Sequence, residues 1–284
     1  MKRVAWATDL HLEFTTSMSE TNILCESIIA QEAEALLIGG DTGTAHSLRR
    51  YLRILEERLQ LPIYFVLGNH DCYGGSIKEM RSVAVSLAQN SRWLQWLPLE
   101  GCVRLAPNTG LVGHGAWADG RLGNGVNSQV LLNDFVYIQG LTGLSSEKLF
   151  TKLNNLGDQA AEYFRKILPQ ALDRYRNLLL LTHVPPFEEA CWHKGRISDD
   201  EFLPHFTCQA VGEVLIDMMQ SHPGCNLTVL CGHTHGNGTA QILPNLLVKT
   251  GGAEYGQPAL QEVILVGQGT EDPPAFAKES GRVD

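Results

Sequence analysis

The chain has no apolar run near the roughly 20 residues that a bilayer crossing requires. Asp9 and His11 interrupt the stretch after the basic pair Lys2-Arg3, so no signal-peptide core forms there. The seven cysteines, at 25, 72, 102, 191, 208, 225 and 231, are odd in number and contain no CxxC pair. That argues against a zinc ribbon and a disulfide framework, and predicts reduced, mostly buried thiols in a cytoplasmic protein. Basic residues are few, 22 Lys and Arg against 31 Asp and Glu, for a formal charge of −9. Such a surface disfavours stable nucleic-acid binding. It does not disfavour a phosphate substrate, because bound cations reverse the local field. Internal repeats and low-complexity linkers are absent.

What is present is an ordinary globular balance, 44% apolar and 19% charged over 284 residues, enough for a large buried core. Strand-like runs are Val4–Thr8, Ala35–Ile38, Ile63–Leu67, Leu111–Val112, Leu178–Thr182, Leu227–Cys231 and Ile242–Val248. Leu48, Tyr51, Leu52, Leu55 and Leu59 share one helical face, as do Leu149, Leu153, Leu156, Ala160, Tyr163 and Ile167. Pro169 is predicted to end or kink the second helix. Strands alternating with helices predict a layered α/β fold. Residues 1–266 are expected to form one domain and 267–284 a terminal tail.

Five of the runs end directly in polar clusters: Asp9-Leu10-His11, Gly39-Gly40-Asp41, Gly68-Asn69-His70-Asp71, His183, and Gly232-His233-Thr234-His235. Open α/β sheets build their sites outside the carboxyl ends of strands, so these clusters are expected to converge. Glycines 40, 68 and 232 suit tight turns and close backbone approach. Asp9 and His11, and likewise His233 and His235, point the same way if the chain is still extended. Imidazole and carboxylate donors suit Zn, Mn or Fe. The seven candidate ligands Asp9, His11, Asp41, Asn69, His183, His233 and His235 exceed one tetrahedral site. They fit two divalent ions about 3.5–4 Å apart, with Asp41 as the bridging carboxylate. The resulting positive field favours an anionic substrate such as a phosphate ester.

The order D-x-H, G-D, G-N-H-[DE], lone His, G-H-x-H over residues 4 to 235 resembles the calcineurin-like metallophosphoesterases. The resemblance implies a four-layer α/β/β/α sandwich. It implies that Asp9, His11 and His235 hold one metal, that Asn69, His183 and His233 hold the other, and that Asp41 bridges them. A metal-bridging hydroxide would attack phosphorus. His70 would stabilise the phosphoryl group and protonate the leaving oxygen, and Asp71 would orient its imidazole. Two features separate the chain from protein serine/threonine phosphatases. Thr44 replaces the second acid of G-D-x-x-D with no arginine after it, and residue 71 is Asp rather than Glu. Thr44 also removes the tyrosine ligand of purple acid phosphatases. The expected activity is hydrolysis of small phosphodiesters or phosphomonoesters. The alternative is an inactive scaffold of the same fold, which should have lost a ligand or His70. A β-lactamase-like hydrolase would need H-x-H-x-D-H, which is absent.

Outside the motifs, His114, His193 and Arg196 are candidate substrate contacts: His114 follows the Leu111–Val112 run near Trp117, and His193 and Arg196 belong to the segment around Trp192 that begins eight residues past His183. His46, His205 and His222 read as structural or surface histidines. Cys72 and Cys231 read as buried structural thiols.

Overall fold

A computed structural model describes residues 1–267. The chain runs β1 (Lys2–Ala7), α1 (Met18–Ala30), β2 (Ala35–Ile38), α2 (Leu48–Leu59), β3 (Ile63–Phe65), α3 (Ile77–Gln89), β4 (Leu94–Trp96) and α4 (Leu97–Glu100). It continues through β5 (Val103–Ala106), β6 (Thr109–Gly113), α5 (Asp134–Tyr137), α6 (Ser146–Arg174), β7 (Asn177–Leu181), β8 (Trp192–His193) and β9 (Arg196–Ile197). It closes with α7 (Leu203–Phe206), α8 (Gln209–Ser221), β10 (Asn226–Cys231), β11 (Gly238–Leu243), β12 (Leu246–Thr250) and β13 (Glu262–Val266).

The strands form two main sheets, ordered β13-β1-β2-β3-β4 and β11-β12-β10-β7-β6-β5. Neighbours pair in parallel within both, except for the antiparallel edge strands β13, β11 and β5. The central strands read as unbroken apolar runs because both of their faces are covered. The two-residue side-chain period nevertheless sorts them. Val4, Trp6, Ala35 and Leu37 join Leu179 and Leu181 in a core between the sheets. Ala5, Ala7, Leu36 and Ile38 pack instead with Leu24 and Ile28 of α1 and Leu52 and Leu55 of α2. On the far side, Leu178 and Leu180 pack with Phe164 of α6 and Val211 of α8. The result is the expected α/β/β/α stack.

The α2 stripe is buried as its spacing predicts. Of the end or kink expected at Pro169, the end does not occur: the helix continues to Arg174 with the proline inside it. Leu168, Ala171 and Leu172 are buried around the proline, and that packing outweighs the one lost backbone bond. The single run expected at Ile242–Val248 is a hairpin, because Pro244-Asn245 interrupts it. The Asn245 side-chain amide donates to the Met219, His222 and Cys225 carbonyls and anchors the turn. All seven cysteines are free, and six are buried. No helix among the described residues is long and apolar enough to cross a membrane. The expected tail lies outside the described residues apart from Gly267.

Candidate metal centre

Strands β1, β2 and β3 are parallel neighbours in one sheet, and β7 and β10 are parallel neighbours in the other. Their carboxyl ends therefore share one edge of the sandwich, where all five motif clusters meet. The chain does not stay extended there. Asp9, His11, Asp41, His233 and His235 have φ of 50°, 43°, 50°, 70° and 58°. The left-handed region is unfavourable for non-glycine residues, and here it turns side chains inward from each strand end. The expectation that the i, i+2 pairs align through extended backbone is thus corrected. Backbone strain held by the surrounding fold does the aiming.

The donor atoms form two groups. Asn69 Nδ2 donates to Asp134 Oδ1 at 2.8 Å, which sets the amide so that Oδ1 faces inward. That oxygen lies 2.9 Å from His183 Nε2 and 3.0 Å from His233 Nδ1. The other ring nitrogens are occupied, since His183 Nδ1 donates to the Gly39 carbonyl and His233 Nε2 to the His205 carbonyl, both at 2.9 Å. With both rings neutral, three lone pairs therefore converge with no proton between them, an arrangement that suits a cation. In the second group, His11 Nε2 is 3.0 Å from His235 Nε2, which is 3.6 Å from Asp9 Oδ1. Asp41 Oδ2 sits between the groups, 3.8 Å from His11 Nε2 and 3.4 Å from His183 Nε2. Four of these six spacings, at 2.9–3.4 Å, match the ~3.0–3.4 Å edges of octahedral or tetrahedral polyhedra with metal–nitrogen distances of ~2.1 Å, while the two at 3.6 and 3.8 Å are wider.

Charge agrees with geometry. Burial pushes His183 down to about 3 and His235 to about 4, and it lowers His233 as well, so these rings are neutral donors. Burial, with Asp9 and Asp71 nearby, pushes the Asp41 carboxyl well above its usual range. A cation in the cluster relieves that repulsion. The donor set therefore fits two borderline divalent ions.

Asp71 is not where the sequence reading put it. Its Oδ2 accepts from the Asp41 and Gly68 amides, and its Oδ1 accepts from the Thr42 and Gly43 amides, at 2.9–3.0 Å. It ties two strand-end loops together and makes no bond to the His70 ring. The carboxylate beside that ring is Glu13, whose Oε1 is 3.5 Å from His70 Nδ1 and 3.6 Å from His11 Nδ1. Burial pushes the Glu13 carboxyl up, but the two imidazoles outweigh it and hold it down at about 2.

Close packing makes two glycines obligatory. A Cβ on Gly232 would fall on Asp9 Oδ2 and Thr8 Oγ1, and one on Gly68 would fall on Asp41 Oδ1. Gly232→Ala should therefore displace Asp9 and lower metal content measured by elemental analysis to one ion or fewer per chain. Unchanged metal content in that variant would show that the loop relaxes freely.

The three expected substrate contacts separate. His193 lines the cleft over the donors, and its Nδ1 donates to the Thr234 carbonyl at 2.9 Å. Arg196 pairs with His193 across the β8–β9 ribbon but is exposed and does not line the cleft. His114 is corrected: it packs on Tyr163 with ring centroids 5.2 Å apart, and its Nδ1 accepts from the Ala116 amide. Burial pushes it down to about 3, so it is a neutral ring in a separate crevice behind the site. Burial also raises the Cys72 and Cys231 thiols, which leaves them unreactive. Sequence reasoning missed Glu13, Tyr73, Asp134 and Tyr255. Glu13 stands two residues past His11, a signal that was available. Asp134 opens the short helix α5 and Tyr255 lies in a loop, and neither belongs to a motif.

A sequence profile of the calcineurin-like phosphoesterase family matches residues 2–237. Among solved structures, the phosphopantetheinyl hydrolase of Mycobacterium tuberculosis is similar at a TM-score of 0.64 and 14% identity, covering 95% of this chain and 98% of that one. A dimetal phosphatase from Danio rerio is similar at 0.53 and 14% identity, covering 88% of this chain and 87% of that one. A third structure, a protein of Thermus thermophilus, gives 0.52 and 17%, covering 88% and 89%. Among curated proteins no match is found.

Proposed function

The chain belongs to the calcineurin-like phosphoesterase family, and from that premise we propose that it hydrolyses phosphate esters with two bound divalent metal ions. Asp9, His11 and His235 would hold one ion, Asn69, His183 and His233 the other, and Asp41 both. The observation that carries this reading is the proton-free meeting of Asn69 Oδ1, His183 Nε2 and His233 Nδ1. When bound, such ions supply Lewis acidity to the phosphoryl group and lower the pKa of water. The names of two fold neighbours, a hydrolase and a dimetal phosphatase, accord with it. The acting unit is taken to be residues 1–266, because β13 pairs along β1 beyond the family match.

His70 borders the cleft and stacks on Tyr73 with ring centroids 4.2 Å apart. It would stabilise the phosphoryl charge and give its proton to the leaving oxygen. Glu13 would orient it by accepting from Nδ1, which leaves Nε2 for the substrate, and would fix the His11 tautomer in the same way. Asp134 holds the Asn69 amide and accepts from Tyr73 Oη at 2.6 Å, so it stiffens both walls. An inactive scaffold should lack a ligand or the acid, and every one is present.

Elemental analysis should find about two metals per chain after loading with Mn. Hydrolysis of a chromogenic phosphodiester should be lost to chelator and restored by Mn or a similar ion. Full activity in protein free of metal would overturn the proposal. Glu13→Gln should keep both ions and KM while lowering kcat about 10- to 100-fold, the usual cost of losing a partner that orients a histidine. An unchanged kcat would return Glu13 to a packing role.

A further inference from the structure

Among the described Phe, Tyr and Trp side chains only four are 36% or more exposed: Phe14 (50%), Tyr137 (54%), Phe202 (36%) and Tyr255 (50%). All four stand around the metal-facing cleft. Tyr255 lines it. Phe14 packs on Tyr255 with ring centroids 4.6 Å apart. Tyr137 packs on the lining Tyr73 at 5.6 Å, and Phe202 on the lining Phe206 at 5.5 Å. Aromatic surface left in water is unfavourable and marks a binding site when it is clustered. The four rings come from four separate stretches of chain, so no local sequence bias accounts for the cluster.

The cleft is small, about 250 Å³, and among the described residues no lysine or arginine lines it. Four carboxylates, Asp9, Asp41, Glu13 and Asp134, lie in or against it. They offset the four positive charges that two divalent ions would bring. The site then has little surplus attraction for a dianion, and no side chain forks onto extra phosphates. A volume below the ~300–1,000 Å³ of typical ligand pockets admits a phosphoryl group and sends the rest of a ligand onto the rim.

We propose that the substrate is a monoanionic phosphodiester with a planar aromatic or heteroaromatic ester arm, which stacks on the rim formed by Tyr255 and Phe14. The proposal rests on the phosphoesterase reading and names the substrate class of that same site. In the reaction a water oxygen bonds to phosphorus, the bond to the leaving oxygen breaks, and that oxygen takes up a proton. The products are a monoester and an alcohol or phenol.

The test keeps the leaving group constant. Metal-loaded full-length protein is given phenyl 4-nitrophenyl phosphate, methyl 4-nitrophenyl phosphate or 4-nitrophenyl phosphate, and each kcat/KM is divided by the uncatalysed rate. The phenyl diester should exceed the methyl diester at least about tenfold, as aromatic stacking allows, and both should exceed the monoester. Tyr255→Ala and Phe14→Ala should each shrink the phenyl-to-methyl ratio at least about threefold with metal content and Tm retained. Titration calorimetry should show diphenyl phosphate binding more tightly than dimethyl phosphate, a readout independent of turnover. Hydrolysis without a phenyl preference, a preference unchanged in both variants, or a faster monoester would each overturn this proposal. No hydrolysis of any ester would overturn the phosphoesterase reading instead, and calorimetry would still decide whether the rim binds an aryl diester.

Discussion

Asp41→Asn should remove metal and turnover together. Asp41 Oδ1 accepts from the His70 amide at 2.8 Å, while Oδ2 alone lies between the two donor groups. Asp41 would therefore hold both ions through Oδ2, while its other oxygen holds a loop. An asparagine cannot serve both demands. Turned one way, its NH2 meets the His70 N–H; turned the other, it points N–H groups into the donor cluster. It also removes a negative charge from between two cations. We expect elemental analysis to find fewer than two ions per chain. The fall in kcat should be at least about 10³-fold, more than the 10- to 100-fold typical of losing a hydrogen-bond partner of a ligand. Two tightly bound ions with wild-type kinetics in this variant would refute the bridging role.

His70→Asn should separate chemistry from metal binding. His70 is not among the donors around Asp41, but it borders the cleft between Tyr73 and His11, with ring centroids 4.2 and 4.5 Å away. Losing a general acid costs about 10²–10⁴-fold in kcat. The loss should shrink for esters whose leaving groups need no proton, and both ions should remain. A competing arrangement exists, because His11, Glu13 and His70 themselves come close enough to share an ion. If His70→Asn loses metal, that arrangement is the true one and the acid must be sought elsewhere.

The amino-acid order alone determined the strand ends that carry Asp9, His11, Asp41, Asn69, His183, His233 and His235. Continuous apolar runs stop abruptly at polar clusters there, and parallel strands place such stops on one edge. It also determined α2, whose stripe needs nothing beyond the 3.6-residue period. It did not determine that Pro169 sits inside a helix, because packing around Leu168 and Leu172 overrides the local penalty. Partner choice was likewise beyond it. Asp71 next to His70 in sequence looked like its partner, but four backbone amides claim both of its oxygens. Glu13, far from His70 in the chain, takes the place beside the ring. His114 followed a core strand as His183 does, yet the fold turns it into a crevice behind the site. The motif fixes which chemical groups arrive, since donors of a given kind must follow strands in a given order. Which groups touch depends on loop backbone and on packing between distant segments. Asp134 reaches Asn69 across 65 positions, and Tyr255 meets Phe14 at the cleft mouth. Those contacts arise only when two sheets stack face to face, so only the tertiary structure could decide them.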